Sequence, residues 1–207
     1  MEYLTKLEFD ELEFNNRYYR GRWGYFEKVI EMLKRYQFKS LIEIGAGAKD
    51  KLCRESITID VRPTAEPDYC FDITRIPWVA GIPRVDCIVA LQVWEHLGVR
   101  QERAFAELCK YSRRAIMSFP YLWQDIADPE HYNIGEATIA RWTLNRKVIE
   151  KHLIGYRIIY LFDLEHEQEV VDEKEVTKLI KAELRELNRK LVRLKRFLMK
   201  GKKRDEA

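Results

Sequence analysis

Ser40-Leu41-Ile42-Glu43-Ile44-Gly45-Ala46-Gly47 is the stretch on which the fold turns. A short apolar run that breaks on two glycines reads as a buried strand leaving its sheet through a tight bend. A second strand, Ser56-Ile57-Thr58-Ile59-Asp60, follows so soon that any helix between them must be short. Pro63 and Pro67 then interrupt the chain, and Asp68-Tyr69-Cys70-Phe71-Asp72 reads as a third strand. Val85 to Leu91 is the clearest strand of all, and Arg114 to Pro120 is another, closed by its proline. Between them, Leu97, Phe105, Leu108 and Cys109 give helical spacing over Glu95 to Tyr111. Residues 121 to 135 read as loop. Ala137 to Leu153 is expected to be helical, with Gly155 ending it and Tyr156 to Phe162 forming a further strand. Upstream, residues 17 to 37 read as a lead-in and a helix carrying Phe26, Ile30 and Leu33. Strands alternating with helices predict an α/β domain, a mostly parallel sheet with helices on both faces.

The 207 residues suffice for one such domain and an appendage. Hydrophobic residues make up 46% and charged residues 34%, which suits a sizeable core under a solvated surface. No run of eighteen apolar residues exists, and Met1 to Asp10 is acidic without an apolar segment, so neither a membrane span nor a signal peptide is expected. Cys53, Cys70, Cys87 and Cys109 form no Cys-x-x-Cys pair, so free thiols of a reducing cytoplasm are expected, and no metal site. From Val176 the pattern changes. Ile180, Leu184, Leu187, Leu191, Leu194 and Leu198 form a heptad seam, and Arg189 to Arg204 holds nine Lys or Arg residues with no acid. The chain therefore divides into a lead-in and helix (1–37), a sheet domain (38–171) and a long basic amphipathic C-terminal helix (172–207). That tail suits self-association or docking, or an anionic membrane surface that would place the protein at the inner membrane face. A nucleic-acid partner is not expected, because the body is acidic.

Parallel sheets bind ligands beyond the carboxyl ends of their strands. Glycines at the bend after strand one allow close backbone approach. An acid at Asp60 suits a ribose diol, although it also suits a helix cap. A dinucleotide site would want glycine at position 50, where Asp50 would repel phosphate instead. Glu43, an acid inside an apolar strand, suits a cationic ligand better than an anionic one.

These residues resemble a family. Ile42-Glu43-Ile44-Gly45-Ala46-Gly47 resembles motif I of class I S-adenosylmethionine (SAM)-dependent methyltransferases, and Asp60 stands where that family has its ribose-binding acid. Phe71-Asp72-Ile73 is similar to the adenine-facing segment. Val85 to Leu97, ending Trp94-Glu95-His96-Leu97, is similar to the fourth-strand motif ending in "EHL" of the small-molecule and glycan branches. Gly155-Tyr156-Arg157-Ile158 resembles the start of the sixth strand. Lys49, where many members have a third glycine, and the short first crossover depart from the pattern. The resemblance implies a Rossmann-like sheet that binds SAM through Glu43, Gly45, Ala46, Gly47, Asp60 with Val61, Asp72 with Ile73, and Gln92.

It also implies that the acceptor and a general base sit on the loops after strands four and five. Those loops hold Glu95, His96, Tyr121, Trp123, Asp125, Asp128 and His131. His131 is the first expectation for the base and His96 the second, each equally readable as a loop or core-edge residue. Glu95 reads equally as a charge at the start of its helix. Tyr121 and Trp123 are expected to meet the acceptor, or else to pack their loop as a satellite core. Arg22, in the Arg- and aromatic-rich stretch Asn16 to Trp23, is expected to pair with the SAM carboxylate, to bind the acceptor, or to be plain surface lead-in. The reading is O-methylation of a sugar or glycan, with a lipid-linked acceptor the one that a membrane-leaning tail would suit. Its rivals are methylation of a small metabolite or protein, a non-catalytic scaffold working through the basic helix, and an NAD-linked oxidoreductase.

Overall fold

The computed structural model describes residues 1–124 and 130–168. The basic C-terminal helix expected over 172–207, with its seam and its membrane or self-association role, lies outside the described residues, as do Asp125 and Asp128. Helices α1 (Lys6–Asn15) and α2 (Trp23–Tyr36) open the chain, joined through a 3-10 turn at Arg17–Tyr19. Strands β1 (Leu41–Ile44), β2 (Ile57–Asp60), β3 (Tyr69–Cys70) and β4 (Cys87–Leu91) follow. A 3-10 segment (Trp94–Arg100) runs into α3 (Gln101–Leu108). Next come β5 (Arg114–Pro120), α4 (Glu136–Trp142), β6 (Arg146–Ile154) and β7 (Arg157–Glu167).

The seven strands form one sheet in the order β3-β2-β1-β4-β5-β7-β6. β1 to β5 run parallel, and β7 is antiparallel to both neighbours. The alternation of side chains along each strand splits the core in two. Leu41, Cys87, Val89, Ile116, Ile159 and Leu161 face Phe9, Phe26, Val29, Ile30 and Leu33 of α1 and α2. Ile42, Ile88, Ala90, Met117 and Tyr160 face Phe105 and Leu108 of α3 and Ile139 and Trp142 of α4. Both faces are thus covered, and the central strands are near-continuous apolar runs for that reason. Among the described residues no helix is long and apolar enough to cross a membrane. All four cysteines are free; Cys53 and Cys87 are buried, whereas Cys70 is exposed.

Three expectations are corrected. No helix joins β1 to β2; residues 48–56 form turns and a bridge from Cys53 to Tyr3. The helix expected over 95–111 is broken at Gly98, whose φ is 63°, into the 3-10 segment and α3. The helix expected over 137–153 stops at Trp142, because Leu144 and Asn145 adopt left-handed backbone (φ 50° and 51°). The rest is the edge strand β6, with half-buried and exposed side chains alternating along its length. Gly155 therefore opens a two-residue hairpin turn, and the Gly155–Ile158 segment begins the seventh strand, not the sixth. Gly155 has φ 59° in the first turn position, where a type II′ turn takes glycine. A Cβ there would meet nothing, so Gly155→Ala should cost backbone strain alone. A loss of about 1 kcal/mol is expected, read as a melting temperature lowered by about 2–4 °C.

Candidate active site

The strand order reverses between β1 and β4, and a cavity of about 470 Å³ opens there beyond their carboxyl ends. Gly45, Asp60, Val61, Asp72, Ile73 and Gln92 all line it. Gly45 leaves β1 at φ 82° and packs against Val93; an added Cβ would lie 2.4 Å from a Val93 methyl. Gln92, with φ 56°, is held on the other lip by Ser118, which its side-chain Nε2 reaches at 3.1 Å. Asp60 ends β2 buried, its Oδ1 accepting from the Arg62 backbone N–H (2.7 Å) and Nε (3.0 Å), its Oδ2 from the Arg62 Nη2 (2.7 Å). Asp72 Oδ1 accepts from the Thr74 N–H and hydroxyl at 2.9 and 2.7 Å. Burial raises the Asp72 pKa, but those hydrogen bonds outweigh it and hold the carboxyl below its usual range. Among the described residues its Oδ2 carries only a long contact to Arg100, 3.9 Å.

The glycine bend itself is built differently from its sequence reading. Glu43 does not line that cavity. Its Oε2 accepts from the Leu52 N–H (2.7 Å), its Oε1 from the Cys53 N–H (2.9 Å) and Ser56 hydroxyl (2.6 Å). It staples the loop after β1 in place of meeting a cation. Glu43 and Ala46 border a separate cavity of only about 40 Å³. Gly47 lines neither cavity. A Cβ on it would fall 2.1 Å from the Ala65 carbonyl oxygen, so glycine is required by the close passage of the 63–65 turn. The Gly47 N–H donates to Asp50 Oδ1 at 2.7 Å, and Asp50 Oδ2 accepts from the buried Tyr19 hydroxyl at 2.7 Å. A carboxylate thus occupies the amide that a dinucleotide's pyrophosphate would need.

A second pocket, about 310 Å³, adjoins the first; Tyr18, Gln92 and His96 line both. Arg22, Pro120, Trp123, His131, Tyr156 and Arg157 complete its walls. Tyr121 lines neither; its N–H is bonded to the Tyr156 carbonyl (2.8 Å) and its ring packs on the core. The His96 and His131 rings meet edge to face, centroids 5.0 Å apart. His96 Nδ1 lies 2.6 Å from Glu130 Oε2, and His131 Nε2 lies 3.7 Å from Glu95 Oε1. Glu95 is 3% exposed, and neither of its oxygens has a hydrogen-bond partner among the described residues. Burial pushes its pKa up to about 7 against the charges of His96, Arg157 and Arg22. Cysteine spacing predicts no metal site, yet Glu95, His96 and His131 each bring a ligand atom within 4.8 Å of the others. Sequence reasoning also missed Arg157 and Arg62. Arg62 stands two residues from an acid already singled out, which is a signal that was available.

No family model matches the chain, and no curated protein matches it by sequence. Solved structures do match in shape. The methyltransferase domain of bacterial CtHen1-CN aligns with 16% identity and a TM-score of 0.52, over 67% of this chain and 96% of that one. The PH0226 protein from Pyrococcus horikoshii OT3 aligns with 12% identity and a TM-score of 0.56, over 72% and 92%. A SAM-dependent methyltransferase from Clostridium acetobutylicum ATCC 824 aligns with 11% identity and a TM-score of 0.52, over 67% and 89%. The fold is that of the class I SAM-dependent methyltransferases.

Proposed function

We propose that the chain is a SAM-dependent methyltransferase acting on a hydroxyl oxygen of a small sugar-like acceptor. The observation that carries this reading is the junction of the two cavities at Tyr18, Gln92 and His96. The larger cavity fits the adenosyl end of SAM: Asp60 to accept from a ribose diol, the second oxygen of Asp72 for the adenine amine, Val61, Phe71 and Ile73 as apolar walls. Asp50 at the turn amide argues against a pyrophosphate-bearing cofactor.

SAM, when bound, supplies an electrophilic methyl group, so the chain's work is placement, exclusion of water and custody of one proton. His96 is the base the geometry favours over His131, because it borders both cavities. With Nδ1 turned to Glu130, its Nε2 is left to take the acceptor's proton. The buried Glu95 beside His131 offsets the positive charge that then develops in the histidine pair. Trp123 and Tyr156 give the smaller pocket aromatic walls suited to a sugar ring.

Isothermal titration tests the reading. Micromolar binding of SAM and its product S-adenosylhomocysteine (SAH) is expected, with none of NADH; silence towards SAM and SAH would leave a non-catalytic scaffold. A second reading has one specific observation behind it, the carboxylate of Glu95 that lies beside two imidazoles with no hydrogen bond among the described residues. Two histidines and a carboxylate form a donor set for Zn²⁺ or Mn²⁺, and Glu130 would be the outer partner that fixes His96. About one equivalent of Zn²⁺ or Mn²⁺ retained by dialysed wild type, and none by Glu95→Gln, is its expected signature.

A further inference from the structure

We infer that the methyl acceptor carries an oxyanion, a phosphate or carboxylate group, gripped by Arg157, Arg22 and the indole N–H of Trp123. The inference rests on the methyltransferase reading only in naming that anion's carrier as the acceptor.

Buried polar atoms are almost always hydrogen-bonded, so orphaned ones point to a missing partner. Two orphaned donors border the smaller pocket. Arg157 Nε and Trp123 Nε1 are both buried without a hydrogen-bond partner among the described residues. Arg22 adds a second guanidinium. It lies over the Tyr18 ring at 3.8 Å and offers one long hydrogen bond to the Tyr25 hydroxyl, 3.4 Å. Arg157 stacks over the Tyr25 ring at 5.0 Å. These ring contacts hold both guanidiniums beside aromatic faces, which accept no N–H bond of the kind an oxyanion takes.

Neither arginine has a carboxylate within the 4.0 Å of an ion pair among the described residues. The acid felt by both is Glu95, whose charge acts on Arg157 from a distance. Burial, aided by the charge of Arg22, also lowers the Arg157 pKa from its ordinary value. Two cations and an indole N–H border one pocket, and among the described residues no carboxylate pairs with either arginine, so the site is deficient in negative charge. An oxyanion answers each of them, because guanidinium N–H groups pair with two oxygens of a carboxylate or phosphate in parallel. His96 lines the same pocket, so the reacting hydroxyl and the oxyanion belong to one small molecule. At about 310 Å³ the pocket stands at the small end of ligand sites, the size class of a phosphorylated or carboxylated monosaccharide. The other source of an oxyanion is the methionine carboxylate of SAM, but neither arginine lines the larger cavity.

Thermal melts of the full chain, with SAH at saturation and ionic strength held constant with KCl, test this. The probes are inorganic phosphate, glucose 6-phosphate, glucuronate and glucose. Phosphate and the two anionic sugars should raise the melting temperature of wild type, and glucose should not. The response to glucose 6-phosphate and glucuronate tells a phosphate from a carboxylate preference. Arg157→Gln and Arg22→Gln should each weaken the best anion at least tenfold, with SAH affinity within about threefold of wild type. Trp123→Phe keeps an aromatic ring, though a smaller one, and removes the N–H; it should weaken the anion several-fold and serves as the second variant where an arginine variant fails to fold. Equal anion responses in wild type and variants, or glucose as effective as glucose 6-phosphate, would overturn the inference. So would a tenfold loss of SAH affinity in Arg157→Gln, which would hand the arginines to SAM's carboxylate. Anion binding without SAH binding would sink the methyltransferase reading and leave the oxyanion site standing.

Discussion

Asp60→Ala should weaken SAH binding by about 100-fold or more, with the melting temperature of the unliganded protein little changed. The carboxylate is 4% exposed and ends β2 inside the larger cavity, where it can accept from both hydroxyls of a ribose. Hydrogen bonds to a charged group are worth about 1.5–3 kcal/mol each, so losing two removes two or more decades of affinity. Folding should survive because, among the described residues, the one side-chain partner stranded is Arg62, whose side chain is 62% exposed and can turn to water. That same partner sharpens the test. Arg62 now occupies both Asp60 oxygens and must yield at least in part when a ribose arrives. Arg62→Ala should therefore leave SAH binding intact or tighten it by up to about tenfold, opposite in sign to the Asp60 variant. Titration calorimetry on the two variants checks both signs. If Asp60→Ala binds SAH like wild type, the larger cavity is not the adenosyl site.

What could be read from the sequence was whatever depended on short-range pattern. Arg114 to Pro120 is a strand within the limits expected of it, and the run ending at Leu91 is one too, because strands covered on both faces are written as unbroken apolar runs. β6 misled because Val148, Ile149, His152 and Leu153 fall at helical spacing while the backbone is extended. What decides against a helix is the left-handed pair Leu144 and Asn145, of which only Asn145 carries a propensity signal. α1 has Phe9 as its one fully buried residue, too little for a periodic pattern. Its signal was the Thr5-x-x-Glu8 capping box, with Thr5 N–H donating to Glu8 at 2.8 Å. At the site, the lips Gly45 and Gln92 and the acids Asp60 and Asp72 follow from strand ends, which local sequence marks. The meeting of Glu95 with His131, or of Arg157 with Trp123, joins distant segments, and no local pattern encodes it.

Glu43 shows the difference in its sharpest form, since the sequence offers it as a ligand contact and the structure makes it a structural bond. Glu43→Ala should cost about 3–5 kcal/mol, a fall in melting temperature of roughly 10 °C or more. It would orphan the Leu52 and Cys53 N–H groups and the bond from Ser56, all buried, and leave a void where the side chain was. Glu43→Gln should cost less, because the amide oxygen still accepts on one side while its NH₂ confronts an N–H on the other. The pH dependence gives an independent reading. Burial pushes the Glu43 pKa from 4.5 up to about 7, against the hydrogen bonds from Leu52, Ser56 and Cys53. The folded protein therefore binds this proton more tightly than the unfolded chain. That contribution to stability is complete below about pH 4.5 and is lost as pH rises through about 7. Wild type should lose roughly 3 kcal/mol from this group across that window, and a similar amount from Glu95, whose pKa is raised to the same region. Denaturant melts from pH 4.5 to 8 should show Glu43→Gln with about half the wild-type decline. If the variant declines as steeply as wild type, the Glu43 pKa is not raised on folding, and its hydrogen bonds outweigh its burial.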